Sequence, residues 1–251
     1  PGPPRGPTAV AEAVVARVRG EGADAGLGAL PWGEEALDLR ARLALLHEHL
    51  GEPWPDMSDA ALAERAEEWL APAVVSLAGQ AGGENGASGP GGSASGSGSR
   101  RFSLERLDVA QALRTLLPWP QATRLEELVP ERIEVPSGSQ VRVDYTAEVG
   151  GAAGSAGSAE AGRAGRPVLA VRVQECFGWA ATPRIVEGRV AVLLHLLSPA
   201  RRPVAVTDDL SSFWEQGYPQ VRAEMRGRYP KHAWPEDPWN APATRGTGRR
   251  R

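Results

Sequence analysis

Cations set among aromatic rings are the clearest chemistry in this sequence. Arg222 and Arg226 stand one helical turn apart, Arg228 and Lys231 follow closely, and Tyr229 and Trp234 lie beside them. Gathered on one face, such a set would bind phosphates in a salt-dependent way, because each cation that meets a phosphate releases a condensed counterion. Aromatic rings would add surfaces for bases, at ~1–3 kcal/mol per stacked base. The same residues allow another arrangement. Arg226 and Arg228 could pair with Glu224, Glu236 and Asp237 and so pin the C-terminal run onto the rest of the molecule.

A second set lies further upstream. Arg142 falls on the opposite strand face from Val141 and Val143, and Arg172 points away from Leu169, Val171 and Val173. With Arg184 and Arg189 these two would line a basic groove. Taken singly, each reads as a solvated outer position of an amphipathic strand.

Other residue types offer less. His47 and His49 are two apart on a predicted helix, so they face different ways and cannot chelate one metal. His195 sits in the apolar run Val192 to Leu197, where a hydrogen-bonded core imidazole is expected. Ser198, His195 and Asp208 lack the nucleophile elbow a hydrolase triad requires. The single cysteine, Cys176, excludes an intramolecular disulfide and a cysteine-rich zinc site, and reads as a small core residue. Trp32, Trp54, Trp119 and Trp239 each neighbour a proline and are expected to staple loops to a core. Lys231 is the sole lysine and no G-x-x-x-x-G-K-[ST] phosphate loop surrounds it, so neither a catalytic centre nor a cofactor is expected in this chain.

The net charge of −3 argues against wholesale coating of nucleic acid. Charge is uneven, however: from Arg222 to Arg251 basic residues far outnumber Glu224, Glu236 and Asp237, ending in the run Arg249 to Arg251, read as a disordered tail. No apolar run approaches the ~20 residues needed to cross a bilayer. Glu12 and Arg17 interrupt the only stretch that resembles a signal peptide. A cytoplasmic protein without membrane contact is expected, and the opening Pro-Gly-Pro-Pro without methionine suggests a piece of a longer chain.

The elements that must position these residues follow from periodicity. Leu39, Leu43, Leu46 and Leu50 recur at helical spacing, Asp38 can pair with Arg42, and Gly51 with Pro53 supplies a stop. Ser58 is a predicted N-cap, with Asp59 in the first turn and Leu62, Ala66, Trp69 and Leu70 turned inward as far as Pro72. Residues 1–78 therefore form a helical segment, and residues 79–99 a flexible Gly/Ser linker. Residues 100–130 form a helical connector, with Asp108 and Gln111 at capping-box spacing and a short helix from Gln121 to Leu128. Period two then takes over in Ile133 and Val135, and in Val141, Val143 and Tyr145, around a turn at Pro136-Ser-Gly-Ser139. Pro167 to Val173, Arg189 to Leu197 and Pro203 to Val206 complete five strands, with Arg189 to Leu197 central. A small barrel with an open seam over 131–207 is predicted, interrupted by a disordered loop at 150–166. Beyond it, 208–251 is a helical, Pro- and Trp-rich extension that wraps the surface.

Several stretches, in order, resemble the C-terminal region of the bacterial HrpB helicases. They are Val135-Pro-Ser-Gly-Ser139, Val168-Leu-Ala-Val-Arg-Val-Gln-Glu175 with Phe177-Gly178, Thr182-Pro-Arg-Ile185 and Leu193-Leu-His-Leu-Leu-Ser-Pro199. Val206-Thr-Asp-Asp-Leu210, Phe213-Trp214 and Glu224-Met-Arg-Gly-Arg-Tyr-Pro-Lys-His-Ala-Trp-Pro-Glu-Asp-Pro-Trp239 continue the series, the last being the most specific. Leu30-Pro-Trp32, Leu39-Arg-Ala-Arg42 and Trp69-Leu-Ala-Pro72 are similar to the helical segment before that region. The resemblance implies an α+β chain: the end of a helicase helical bundle, then an OB-like, mostly antiparallel β-barrel, then a family-specific extension. It implies a DEAH-box ATP-dependent RNA helicase as parent, whose motor would bind ATP and magnesium outside this chain. The function it implies is an accessory region that holds single-stranded RNA for motor domains joined in cis. The alternative is a structural or protein-interaction module that never touches nucleic acid.

Overall fold

The leucine spacing of the N-terminal third folds as packed helices. A computed structural model of the chain describes residues 6–20, 25–82, 102–147 and 164–247. These fall into two units, one ending at Gln121 and the other beginning at Ala122. The predicted arginine tail at 249–251 lies outside the described residues, as do most of the two Gly/Ser tracts.

In the N-terminal unit, α1 (Pro7–Arg19) packs on α5 (Ala71–Gly82), and α2 (Glu34–Leu50) packs on α6 (Val109–Arg114). Leu39, Leu43 and Leu46 of α2 are buried, and Arg42 lies 3.8 Å from Asp38 one turn back. Gly51 ends α2 at φ 67°, donating its N–H to the His47 carbonyl, a left-handed stop that glycine adopts without a Cβ clash. Ser58 caps α3 (Asp59–Glu64) by accepting from the Ala61 N–H, and α4 (Ala66–Trp69) brings Trp69 fully into the core. Arg19 closes the other end of α3, donating to the carbonyls of Ala63 and Glu64 and pairing with Glu67 at 2.7 Å. Residues 79–82, predicted as linker, instead continue α5, because an alanine-rich helix already under way tolerates Gly79 and Gly82 near its end.

The described residues of the C-terminal unit include α7 (Leu125–Leu128) and then seven strands: β1 (Arg132–Glu134), β2 (Gln140–Asp144), β3 (Val168–Arg172), β4 (Arg184–Ile185), β5 (Val190–Ala191), β6 (Leu193–Leu197) and β7 (Pro203–Thr207). Five of them form one sheet in the order β1-β2-β3-β6-β7, antiparallel throughout except where β3 runs parallel to β6. The barrel expected over 131–207 is corrected here. Among the described residues β1 and β7 remain opposite edges of an open sheet, since neither pairs with the other. The run Arg189 to Leu197 is not one strand either. β5 pairs with β4 in a separate ribbon, turned by Val186, Glu187 and Gly188 with φ of 52°, 55° and 78°, and only β6 holds the predicted central place.

Inward positions of the sheet, Val143, Leu169, Val171, Leu194 and Leu196, are buried, and helices follow β7. These are α8 (Leu210–Ser212), a single π-helical turn at Phe213–Gly217, and α9 (Tyr218–Arg228). Phe177, Phe213, Trp214 and Tyr218 meet there with ring centroids 5.3–6.4 Å apart, mostly tilted or edge-on. The Trp214 indole N–H, which needs a partner once buried, donates to the Trp179 carbonyl at 2.8 Å. Cys176 joins this core, and burial pushes its thiol pKa up, as expected of an inert core cysteine.

Candidate nucleic-acid interface

Helix α9 carries Arg222 and Arg226 one turn apart and ends at Tyr229, whose N–H donates to the Met225 carbonyl at 2.7 Å. Past that point the described residues form no helix or strand, and several of their polar groups are satisfied by the elements before them. The Tyr218 hydroxyl donates to the Pro235 carbonyl at 2.7 Å, and burial raises that hydroxyl's pKa. Arg222 donates to the Trp234 carbonyl at 2.8 Å and reaches Glu236 at 3.3 Å, while the Trp234 indole donates to the Tyr229 carbonyl at 3.0 Å. Further on, the Gly178 N–H donates to the Pro238 carbonyl, the Thr244 N–H to the Gln174 carbonyl, and Arg245 to the Ser137 carbonyl. The extension is thus a strap held along its length.

Trp234 and Arg222 therefore serve the strap. Trp234 is 7% exposed, so its ring faces the core and offers no free surface for a base; the sequence shows a Pro/Trp-rich run but not which tryptophan turns inward. Arg222 takes the pinning role that the sequence allows for Arg226 and Arg228. Arg228 pairs with Glu224 at 3.3 Å, a solvent-exposed contact of little energetic weight. Tyr229 is half-buried, its ring edge-on to that of His232. Arg226 and Lys231 are different. Both are exposed, and neither has a hydrogen-bond or charge partner among the described residues.

The upstream arginines are distributed rather than gathered. Arg172, at the end of β3, donates to the buried carboxylate of Glu175 at 3.1 Å, and the Ser137 and Ser139 hydroxyls donate to the other oxygen of that carboxylate at 3.0 and 2.7 Å. Gly138, at φ 78°, completes this clamped turn beside the Arg245 guanidinium. Arg184 donates to the Gly188 and Arg189 carbonyls, holding the left-handed turn between β4 and β5, and Arg189 is exposed at that turn. Arg142 stands exposed on β2, directly opposite Arg132 on β1. Arg132 was not singled out from sequence, yet counting outward from the Pro136 turn would have paired it with Arg142. Arg201 and Arg202, at the tip of the β6–β7 hairpin, are likewise exposed and carry no side-chain partner among the described residues.

The remaining candidates resolve as structural. His47 donates its Nδ1–H to the Trp54 carbonyl, 2.7 Å away, and no group of His, Cys, Asp or Glu side chains among the described residues could hold a metal ion. Ser198 is buried and its hydroxyl accepts from the Arg202 N–H. His195 lies half-buried on the outer face of β6, its ring without a hydrogen bond among the described residues, rather than bonded in the core as expected. Lys231 stands exposed in the turn after α9.

Comparison with known proteins decides the family. The family described as ATP-dependent helicase C-terminal, HrpB type, matches residues 94–238, more than half of the chain. The chain belongs to the HrpB helicase C-terminal family. Within the HrpB group, the ATP-dependent RNA helicase HrpB of Escherichia coli strain K12 is 39% identical over 225 residues, which is 89% of this chain but 23% of that protein. Two solved structures agree. The E. coli DExH-box NTPase HrpB superposes with a TM-score of 0.67 at 38% identity, covering 88% of this chain, and the E. coli DEAH/RHA helicase HrpB with 0.60 at 35%, covering 89%. In each, this chain spans 23% of the solved chain, about a quarter of its HrpB relatives.

Proposed function

We propose that the chain is an accessory region that holds single-stranded RNA for an ATP-dependent RNA helicase, with Arg226 and Lys231 as its main phosphate contacts. The observation that carries this reading is their exposure without partners, on a helix end and turn whose backbone Tyr218, Arg222 and Trp234 fix in place. An unpaired cation on a preorganised backbone is available to a phosphate at little ordering cost. The name of the E. coli relative supports an RNA partner. The open sheet within 131–207 acts in this reading as a platform, with Arg142, Arg132 and Arg189 as secondary contacts. In this reading ATP and magnesium belong to motor domains in cis, outside this chain, as the ATP-dependent E. coli relative suggests. The setting is the cytoplasm, and no described helix is long and apolar enough to cross a membrane.

A second reading is favoured by Trp234, Arg222 and Arg172, all engaged internally: a structural or protein-interaction module. Anisotropy titration of a short labelled single strand against the chain separates the two. The RNA reading expects binding that weakens steeply with salt and is stronger than for a duplex of equal length. Absence of binding at low salt would leave the module reading standing.

A further inference from the structure

Strand β7 is an edge: it pairs with β6 on one side and with no strand on the other among the described residues. Such an edge presents a row of backbone donors and acceptors ready for another strand. Val206 on its outward face is 58% exposed, and half-buried Val204 sits at the register shift where Ala205 and Pro203 face Leu196 and Leu197. Pro203 occupies the first position of the strand, where a missing N–H disturbs pairing least.

The charges around it are self-complementary. The segment reads Arg201-Arg202-Pro-Val-Ala-Val-Thr-Asp208-Asp209, basic at one end, acidic at the other, with Ala205 at its centre. Laid antiparallel on a second copy about Ala205, Val204 comes opposite Val206, and the turn residues Arg201 (φ 61°) and Arg202 come to the end where the other copy's Asp208 and Asp209 leave the strand. Arg201 and Arg202 lack side-chain partners among the described residues, whereas Asp208 already accepts from Arg166 and Asp209 caps α8, which fixes both carboxylates in position. A two-fold interface requires the same patch on both copies to match itself, and this segment does so in apolar pattern and in charge.

We propose that β7 is a homotypic edge through which two copies of this chain pair antiparallel about Ala205, joining their sheets. The contact is narrow, so association is weak and concentration-dependent. It is also sensitive to salt, because the charge pairs at both ends are exposed.

Sedimentation of the full chain across a concentration series tests the dimer. Wild type is expected to shift from monomer toward dimer, and both R201E/R202E and V206K to remain monomeric with unchanged circular dichroism. Cross-linking tests the register: A205C places two sulfurs across the two-fold axis, so it should form a disulfide dimer under mild oxidation. V204C mixed with V206C should cross-link better than either alone, since paired Cβ atoms sit ~4.5–5.5 Å apart. A wild type monomeric at every concentration overturns the proposal, even if R201E/R202E weakens RNA binding, since that result assigns the two arginines to RNA. A dimer that persists in both surface variants also overturns it. R226A/K231A should retain the dimer, which keeps this test separate from the RNA reading.

Discussion

Glu175 and Trp234 show how residue type alone misleads about role. Removing the Glu175 carboxylate strands the Ser137 and Ser139 hydroxyls and the Arg172 guanidinium together in a mostly buried place. Glu175→Ala is therefore expected to lower unfolding stability by about 2–3 kcal/mol, as loss of a buried charged hydrogen-bond hub does. Urea unfolding checks it, and a change below about 0.5 kcal/mol would show the cluster to be idle. Trp234→Ala should destabilise by about 3–5 kcal/mol, the range for a buried large aromatic. If Trp234 instead stacked on bases, the same substitution would cut RNA affinity at nearly unchanged melting temperature. Sequence could not separate these roles, because Trp234 and the exposed Trp119 both neighbour or approach prolines and differ only in what lies beneath them.

At the scale of elements, what was legible depended on whether the signal was local. The Ser58 and Asp108 caps, the Gly51 stop and the β1–β2 turn are written in contiguous residues, and the structure places each where its local chemistry requires. Sheet closure is not local. Five amphipathic strands fit a barrel or an open sheet equally well, and which strand ends as an edge depends on pairings between residues far apart in sequence. The left-handed turn at Val186–Gly188 was illegible for another reason: a β-branched residue at φ 52° is held by tertiary contacts, here the Val186 N–H to the Leu128 carbonyl and Arg184 to the Gly188 carbonyl. The candidate site was half legible. Composition marked the C-terminal cations, but only packing divides Arg222, which pins the strap, from Arg226, which does not.

The Arg166–Asp208 pair gives this scale a pH test. The guanidinium beside Asp208 holds its carboxyl below the ordinary value of 3.8. A carboxyl whose folded value is lowered stabilises the fold fully above its unfolded value, and that contribution is lost as pH falls through the folded value. Replacing Arg166 with glutamine should flatten the acid limb of the stability curve below about pH 4 and leave the slope between about pH 6 and 8 unchanged. Denaturant midpoints measured across that range check it. A slope change confined to neutral pH would contradict the assignment.

At the scale of the whole molecule, a helical unit and an open sheet with its strap make up a chain spanning about a quarter of its HrpB relatives. On the proposed reading, its contribution to a helicase is the single-stranded RNA that it holds. In that reading it rests on Arg226 and Lys231, two cations exposed and without side-chain partners among the described residues. The most direct measurement is the affinity of this chain for a short labelled single-stranded RNA across a salt series, for wild type and for R226A/K231A. If both residues contact phosphates, the double variant binds more weakly at low salt. The slope of log K against log salt then becomes shallower by about 1.4, from roughly 0.7 per phosphate contact on a single strand. A variant with wild-type affinity and slope would contradict the account.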